Sequence, residues 1–483
     1  MRGNLTNRLT LILICVIFMW NRTSGAISTD LQIVVSGNFQ GQIATWTGFT
    51  QPQPTPAWQV PALITQLRKA QGFETLAVGV GDDSSIFNVG SFLTNGFLDR
   101  MLSQNCGFDV LCLGPDDLAC FRRTDILDKE LFKRIWTNVS RTDKAESFPT
   151  YRILKAAGRK IGIGNFISKS AFRDLPLLNW GDFEVIDPVT AYRKMKFEME
   201  DTDFNILICH LDSADLKNME KVVDANTRLF LVSVLENGAR QNKPGFTHPK
   251  IIEVPEGSEA LLFIRFHIRE GGGLDEKIRR IPLNQAWTRD GEMLFSKVRN
   301  KMISELDKPL KILNTEDLPY PHLYDFKPSA HAAFARAIMR SDVGLVGCSG
   351  RSVEKERILS RSFVVSAFPN RYLREYSIPG AYLRRLFLNL SRDTLPLAIG
   401  VNGAEVSFLG GDIRKLSIGG HQISDSAQYR VVIDSNIYGN SEISKILETS
   451  QPSGLAGVTL WDSWLEELPK LKNIHNLIDY KDY

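Results

Sequence analysis

Ser36-Gly37-Asn38-Phe39-Gln40-Gly41 follows directly on the apolar run at residues 31–35, and this junction decides how the chain folds. A short run of Leu, Ile and Val that closes on small and turn-forming residues reads as a buried strand feeding a loop. The pattern then repeats. Residues 75–80 end at Gly81-Asp82-Asp83, and residues 108–113 stop at Gly114-Pro115-Asp116-Asp117. Further apolar runs at 160–167, 204–209 and 228–234 behave alike, the last entering Leu235-Glu236-Asn237. Helical spacing occupies 61–71 and 89–104 between them. Apolar strands separated by helices predict a layered α/β core with its loops at strand C-termini. In open α/β sheets that is where ligand sites gather.

Downstream the pattern becomes strand-like from about residue 257 to 281, with 260–268 expected as an edge or second-sheet strand. Residues 284–306 have helical spacing, and 314–321 are polar and proline-punctuated, which suits a linker. A second unit opens with a helix at 331–340 and alternates short strands and helices to about residue 472. The expected organisation is a targeting segment at 1–26, a first domain at 27–283, a helix and linker at 284–323, and a second domain at 324–483.

The targeting segment is read from Arg2 and Arg8, the apolar run at 9–20, and the small residues Ser24-Gly25-Ala26. That run is too short for a spanning helix, and nothing later is long and apolar enough, so an exported, periplasmic or secreted protein without a membrane span is expected. The segment also explains the net charge of +3, because Arg2, Arg8 and Arg22 are its only charged side chains. The remainder balances 55 basic against 55 acidic residues (58 less three, against 55), which argues against a nucleic-acid or anionic-membrane partner. Five cysteines remain beyond Cys15: Cys106, Cys112, Cys120, Cys209 and Cys348. Their odd number and lack of CxxC spacing do not make a disulfide framework, although Cys106 and Cys120 could pair. Asn138-Val139-Ser140 and Asn389-Leu390-Ser391 are glycosylation acceptors only on a eukaryotic secretory route.

Together the loop motifs resemble those of the 5′-nucleotidase family, a calcineurin-like metallophosphoesterase domain followed by a nucleotide-binding domain. Gly37–Gly41 stands where the family has N-D-x-H-G, Gly79-Val80-Gly81-Asp82 where it has D-x-G-D, and Gly114–Asp117 where it has G-N-H-E. His210 matches a lone ligand histidine, and residues 233–237 match G-G-H-x-H. The resemblance implies a four-layer metallophosphoesterase-like sandwich followed by a smaller α/β C-terminal-type domain.

It also implies a two-metal site, and here the residues depart from it. Paired divalent cations need a bridging carboxylate with histidine and amide ligands around it. Asp82 and His210 keep their identities. The family's first Asp and His are Asn38 and Gln40, its Asn is Pro115, its leaving-group His is Asp116 and the Asp that orients it is Ala119. Leu235 and Asn237 replace the terminal histidines. An anionic Asp116 would repel a phosphate. No catalytic residue is therefore assigned, and no cofactor is expected unless one divalent ion sits among Asp82, Asp83, Asp116, Asp117, Asp212 and His210. The competing reading makes these aspartates helix caps, with Asp82 and His210 in a polar network.

In the second domain residues 341–351 resemble a nucleotide-binding segment, and Ala367-Phe368-Pro369-Asn370 resembles P-F-G-N. Phe368 and Tyr438 are candidate base-stacking faces and Arg351 a candidate cation. Arg371, Arg374, Arg384 and Arg385 read as a solvated basic face. The functional expectation is a degenerate member that binds a protein partner or a small ligand, a nucleotide included. The alternatives are an active phosphohydrolase with a rebuilt site and a structural component of an extracytoplasmic assembly.

Overall fold

The computed structural model describes residues 30–47, 51–70, 72–121, 134–142, 148–170, 183–199, 201–232, 250–255, 257, 259–268, 274–283, 289–312, 323–326, 328–348, 353–354, 358–361, 364, 369–392, 398–409, 412–438, 441–448, 450–452, 458–470 and 478–480. Two facing sheets build the first domain. In chain order its elements are β1 (Asp30–Ser36), α1 (Val60–Arg68), β2 (Phe73–Gly79), α2 (Val89–Thr94), α3 (Phe97–Asn105), β3 (Val110–Leu111), α4 (Pro115–Phe121), β4 (Tyr151–Ala156), β5 (Arg159–Ile167), α5 (Pro188–Glu198), β6 (Phe204–His210), α6 (Ser213–Val222), β7 (Thr227–Val232), β8 (Lys250–Glu253), β9 (Ala260–Ile268), β10 (Leu274–Pro282) and α7 (Arg289–Leu306). The first sheet runs β10-β9-β1-β2-β3 and the second β8-β7-β6-β5-β4.

The parallel strands β1, β2 and β3, and β5 through β8, all end on one side of the sandwich. Their runs lack strict alternation because both faces are covered. One face of each sheet meets the other through Ile33, Val35, Val78, Ile163, Ile206, Ile208 and Leu231. The outer face of the first sheet packs Val34, Ala77 and Phe263 against Ile64 of α1, Leu98 and Leu102 of α3, and Phe295 and Val298 of α7. Helices α5 and α6 cover the second sheet through Tyr192, Met195 and Met219. Each fully buried aliphatic side chain contributes about 1.5–3 kcal/mol, so these three layers of contact hold the sandwich.

Several expectations change. Residues 260–268 form neither an edge nor a second sheet. β9 lies inside the first sheet, antiparallel to β1 on one side and to β10 on the other. The expected helix at 89–104 is two helices, broken where Asn95 (φ 51°) and Gly96 (φ 68°) turn left-handed. Cys106, Cys112, Cys120 and Cys209 are buried thiols, and Cys106 forms no disulfide with Cys120. Asn138 is wholly buried, and its side chain donates to the Ile167 and Ile186 carbonyls, so the first glycosylation acceptor is a core residue.

The second domain contains α8 (Pro328–Met339), β11 (Val343–Cys348), β12 (Tyr372–Pro379), α9 (Gly380–Arg392), β13 (Ala398–Asn402), β14 (Ala404–Leu409), β15 (Asp412–Ile418), β16 (Gln428–Asp434), α10 (Ser435–Tyr438), α11 (Ser441–Glu448) and α12 (Leu460–Glu467). Its main sheet runs β13-β11-β16-β12 and continues to Gln451–Pro452. Leu345, Ile378, Leu383, Phe387, Val431 and Ile433 form its core. Among the described residues no helix is long and apolar enough to cross a membrane.

Candidate functional site

The site is built at the C-terminal ends of β1, β2, β3 and β6. Three backbone bonds extend the β1–β2 ladder past the strands: Asn38 N–H donates to Gly81 O (2.7 Å), Gln40 N–H to Asp82 O (2.8 Å) and Gly41 N–H to Asp83 O (2.9 Å). Following this path places Asn38 (φ 53°), Gln40 (φ 47°) and Asp82 (φ 53°) in the left-handed region. That region is unfavourable for residues other than glycine and persists only where surrounding contacts enforce it. Gly114 is required here because a Cβ at that position would collide with the Asp82 carboxylate and amide.

Asp117, wholly buried in α4, enforces the arrangement. Its Oδ2 accepts from the amides of Asp82 (2.9 Å) and Gly114 (3.0 Å), and its Oδ1 from those of Asp83 (2.9 Å) and Ser84 (3.0 Å). Buried Arg134 lies 3.7 Å from Asp83 and 3.9 Å from Asp117. Asp83 also accepts from Ser103 Oγ. Burial, then the neighbouring Asp117, pushes the Asp83 carboxyl up to about 8. Burial likewise raises Asp117.

Asp82 and His210 meet across the two sheets. His210 Nδ1 is 2.9 Å from Asp82 Oδ2, and His210 Nε2 is 3.0 Å from the Val80 carbonyl oxygen. Burial opposes charge on this ring, but the Asp82 carboxylate and the Val80 carbonyl overcome it and raise the pKa. Asp82 Oδ1 accepts from the Asp116 amide at 3.0 Å. Gln40 Nε2 donates to Asn38 Oδ1 at 3.1 Å, and Asn88 Nδ2 to the Gln40 carbonyl at 2.8 Å.

Asn38, Gln40, Asp82, Asp116 and His210 are thus gathered at one end of the sandwich. Asp116 is half-buried beside Asp82; burial, then Asp82, pushes its carboxyl up to about 8. Asp212 does not join the group. It caps α6, accepting from the amides of Ala214 (3.0 Å) and Asp215 (2.9 Å). Ala119 lies in α4, and residues 235–237 fall outside the described residues. Sequence reading missed Arg134, Asp99 and Ser103, which no local motif marks. Arg134 reaches the cluster because its neighbour Ile135 bridges to Cys112 beside β3.

A dinuclear metal centre does not suit these side chains. Asn38 and Gln40 are neutral and bonded to each other, and Pro115 has no donor. Both ring nitrogens of His210 lie within hydrogen-bonding distance of protein oxygens. Among the described residues no three His, Cys, Asp or Glu side chains are placed to hold an ion.

In the second domain Arg351 and Phe368 lie outside the described residues, and Tyr438 closes α10, its side chain likewise undescribed. Arg371 is corrected from a solvated cation to a buried one. Its Nη1 donates to Asp434 Oδ2 (2.9 Å) and to the Gly347 carbonyl, tying the ends of β11 and β16. Arg384 does face solvent, 3.3 Å from Asp425.

No family profile and no curated sequence matches the chain. Solved structures do. A putative 5′-nucleotidase from Staphylococcus aureus, in complex with alpha-ketoglutarate, covers 93% of this chain and 98% of its own at a TM-score of 0.62 and 12% identity. The NAD nucleotidase of Haemophilus influenzae covers 92% and 96% at 0.57 and 12%. A 5′-nucleotidase precursor from Thermus thermophilus covers 92% and 97% at 0.54 and 15%. The chain has the two-domain fold of the 5′-nucleotidases. At this identity the likeness is one of fold.

Proposed function

We propose that this chain is an exported, 5′-nucleotidase-like protein that acts by binding a ligand or a protein partner, having lost two-metal phosphate-ester hydrolysis. One observation carries the reading: His210 has Nδ1 on Asp82 and Nε2 on the Val80 carbonyl, so neither nitrogen faces an open coordination position. A ligating histidine instead presents one nitrogen to the metal and steadies itself with the other. The neutral pair Asn38–Gln40 occupies the position of the family's first acid and histidine, which removes the charge a second cation would need. Export rests on the leader-like composition of residues 1–26.

The measurement is metal content of the purified protein together with turnover of nucleotides and p-nitrophenyl phosphate. The expected result is sub-stoichiometric metal and no turnover above an Asp82→Ala control. Stoichiometric metal with metal-dependent turnover that Asp82→Ala abolishes would reject the proposal. A nucleotide-induced rise in Tm without turnover would make a nucleotide the ligand.

A second reading, a rebuilt phosphohydrolase, draws on Asp116. A carboxyl held protonated near neutral pH, at the position of the family's leaving-group histidine, is poised to donate a proton to a departing oxygen. On that reading Asp116→Asn removes turnover while leaving substrate binding intact.

A further inference from the structure

The loop that leaves Asp82 does not end in solvent. Residues 83–88 run to α2, and this loop together with α2 meets the second domain through one hydrogen bond and two edge-on ring contacts. Asn370 Nδ2 donates to the Ile86 carbonyl at 2.7 Å in a buried position. Phe87 meets Tyr372 edge-on with ring centroids 4.7 Å apart, and Phe92 meets Trp461 likewise at 5.0 Å. Phe92 and Trp461 are each only 2% exposed, so the seam is closed at that contact, while Phe87 lies at its rim.

Asn370 sits at the centre. Its Oδ1 accepts from the amides of Trp461 (3.0 Å) and Arg371 (3.1 Å), and the Arg371 carbonyl accepts from Leu460 N–H (2.8 Å). One carboxamide therefore donates to the first domain and accepts twice within the second. An amide fills both roles from its two ends without any change of protonation. Arg371 continues the line to Asp434, which caps α10 by accepting from Ile437 N–H at 3.1 Å. A chain of bonded groups thus joins the loop after Asp82 to the end of β16.

We infer that Asn370 is a latch that fixes the two domains as one body and holds the Asp82 loop in its closed course. The segment 367–370, which resembles a ligand-binding motif, contributes its asparagine to domain docking. A ligand or partner that separates the domains must break this seam, so its binding is coupled to release of the 83–88 loop. These contacts lie outside the Asp82–His210 pair, and the latch stands whether or not the protein is an enzyme.

Asn370→Asp is the decisive variant. It is nearly isosteric and keeps both acceptor roles toward Trp461 and Arg371, but it sets a carboxylate against the Ile86 carbonyl. Scanning calorimetry and small-angle scattering on the full chain read the outcome. The wild type should unfold in one transition, and Asn370→Asp should resolve two, the first lower by about 4 °C or more, with a larger radius of gyration. Phe87→Ala, on the other side of the seam and 44% exposed, should move both readouts in the same direction with less risk to folding. Two transitions already present in the wild type, or both variants showing one transition and an unchanged scattering curve, would overturn the latch.

Discussion

His210, at the end of β6 in the second sheet, holds Asp82, just beyond β2 in the first, at 2.9 Å. The pair crosses between the sheets where their loops converge, and its side chains are 2% and 8% exposed. Removing one partner strands the other in a dry place, which costs about 3–5 kcal/mol. His210→Gln and Asp82→Asn should each lower stability by that order in denaturant titrations. A chelator should leave the Tm of the wild type unchanged, and a Tm that falls with EDTA would speak for a bound ion.

Asp117 is a second stability determinant, and it acts on backbone alone. Four amides converge on its two oxygens. Bonds to a charged acceptor contribute about 1.5–3 kcal/mol each, and stranded amides add their own penalty. Asp117→Ala should destabilise the fold by at least about 3 kcal/mol, and the 82–84 amides should lose hydrogen-exchange protection first.

His331 makes the protein acid-sensitive. Burial, then Arg371, pushes its pKa down to about 3, and its Nδ1 accepts from Trp464 Nε1 at 3.0 Å. An unfolded chain takes up that proton near pH 6.5, the folded one only near 3. The unfolded state therefore binds more protons across this window, and stability falls as pH falls through it. The slope approaches about 1.4 kcal/mol per pH unit for one proton. Tm measured from about pH 7 to 4 should drop less steeply in His331→Gln, which keeps an acceptor for Trp464.

Asp99 works in the opposite direction. Burial, which outweighs its bond from Ser91 Oγ (2.7 Å), pushes the carboxyl up to about 7. Between roughly pH 4 and 7 the folded state binds the extra proton, so stability declines as pH rises through that range. Asp99→Asn should raise stability at about pH 8 by up to about 4 kcal/mol, and the gain should vanish near pH 4. An equal effect at both pH values would refute the assignment.

Periodicity and turn chemistry alone determined much of this protein. Apolar runs ending in Gly-Asp, Gly-Pro-Asp or Ser-Gly-Asn specify buried parallel strands with loops at one end, because strand and turn preferences are local. That Asn38, Gln40 and Pro115 are poor metal ligands was equally legible, since it follows from residue type alone. The position of β9 beside β1 was not, because Leu262 is more than two hundred residues from Val35, its partner in β1. The same holds for Arg134, Asn138 and Arg371, which local sequence presents as ordinary polar residues. Whether a polar side chain is solvated or buried depends on what packs over it, and only the assembled sheets decide that. Asp116 shows the same limit: its sequence neighbourhood says anion, and only the fold sets it beside Asp82, which with partial burial pushes its carboxyl up.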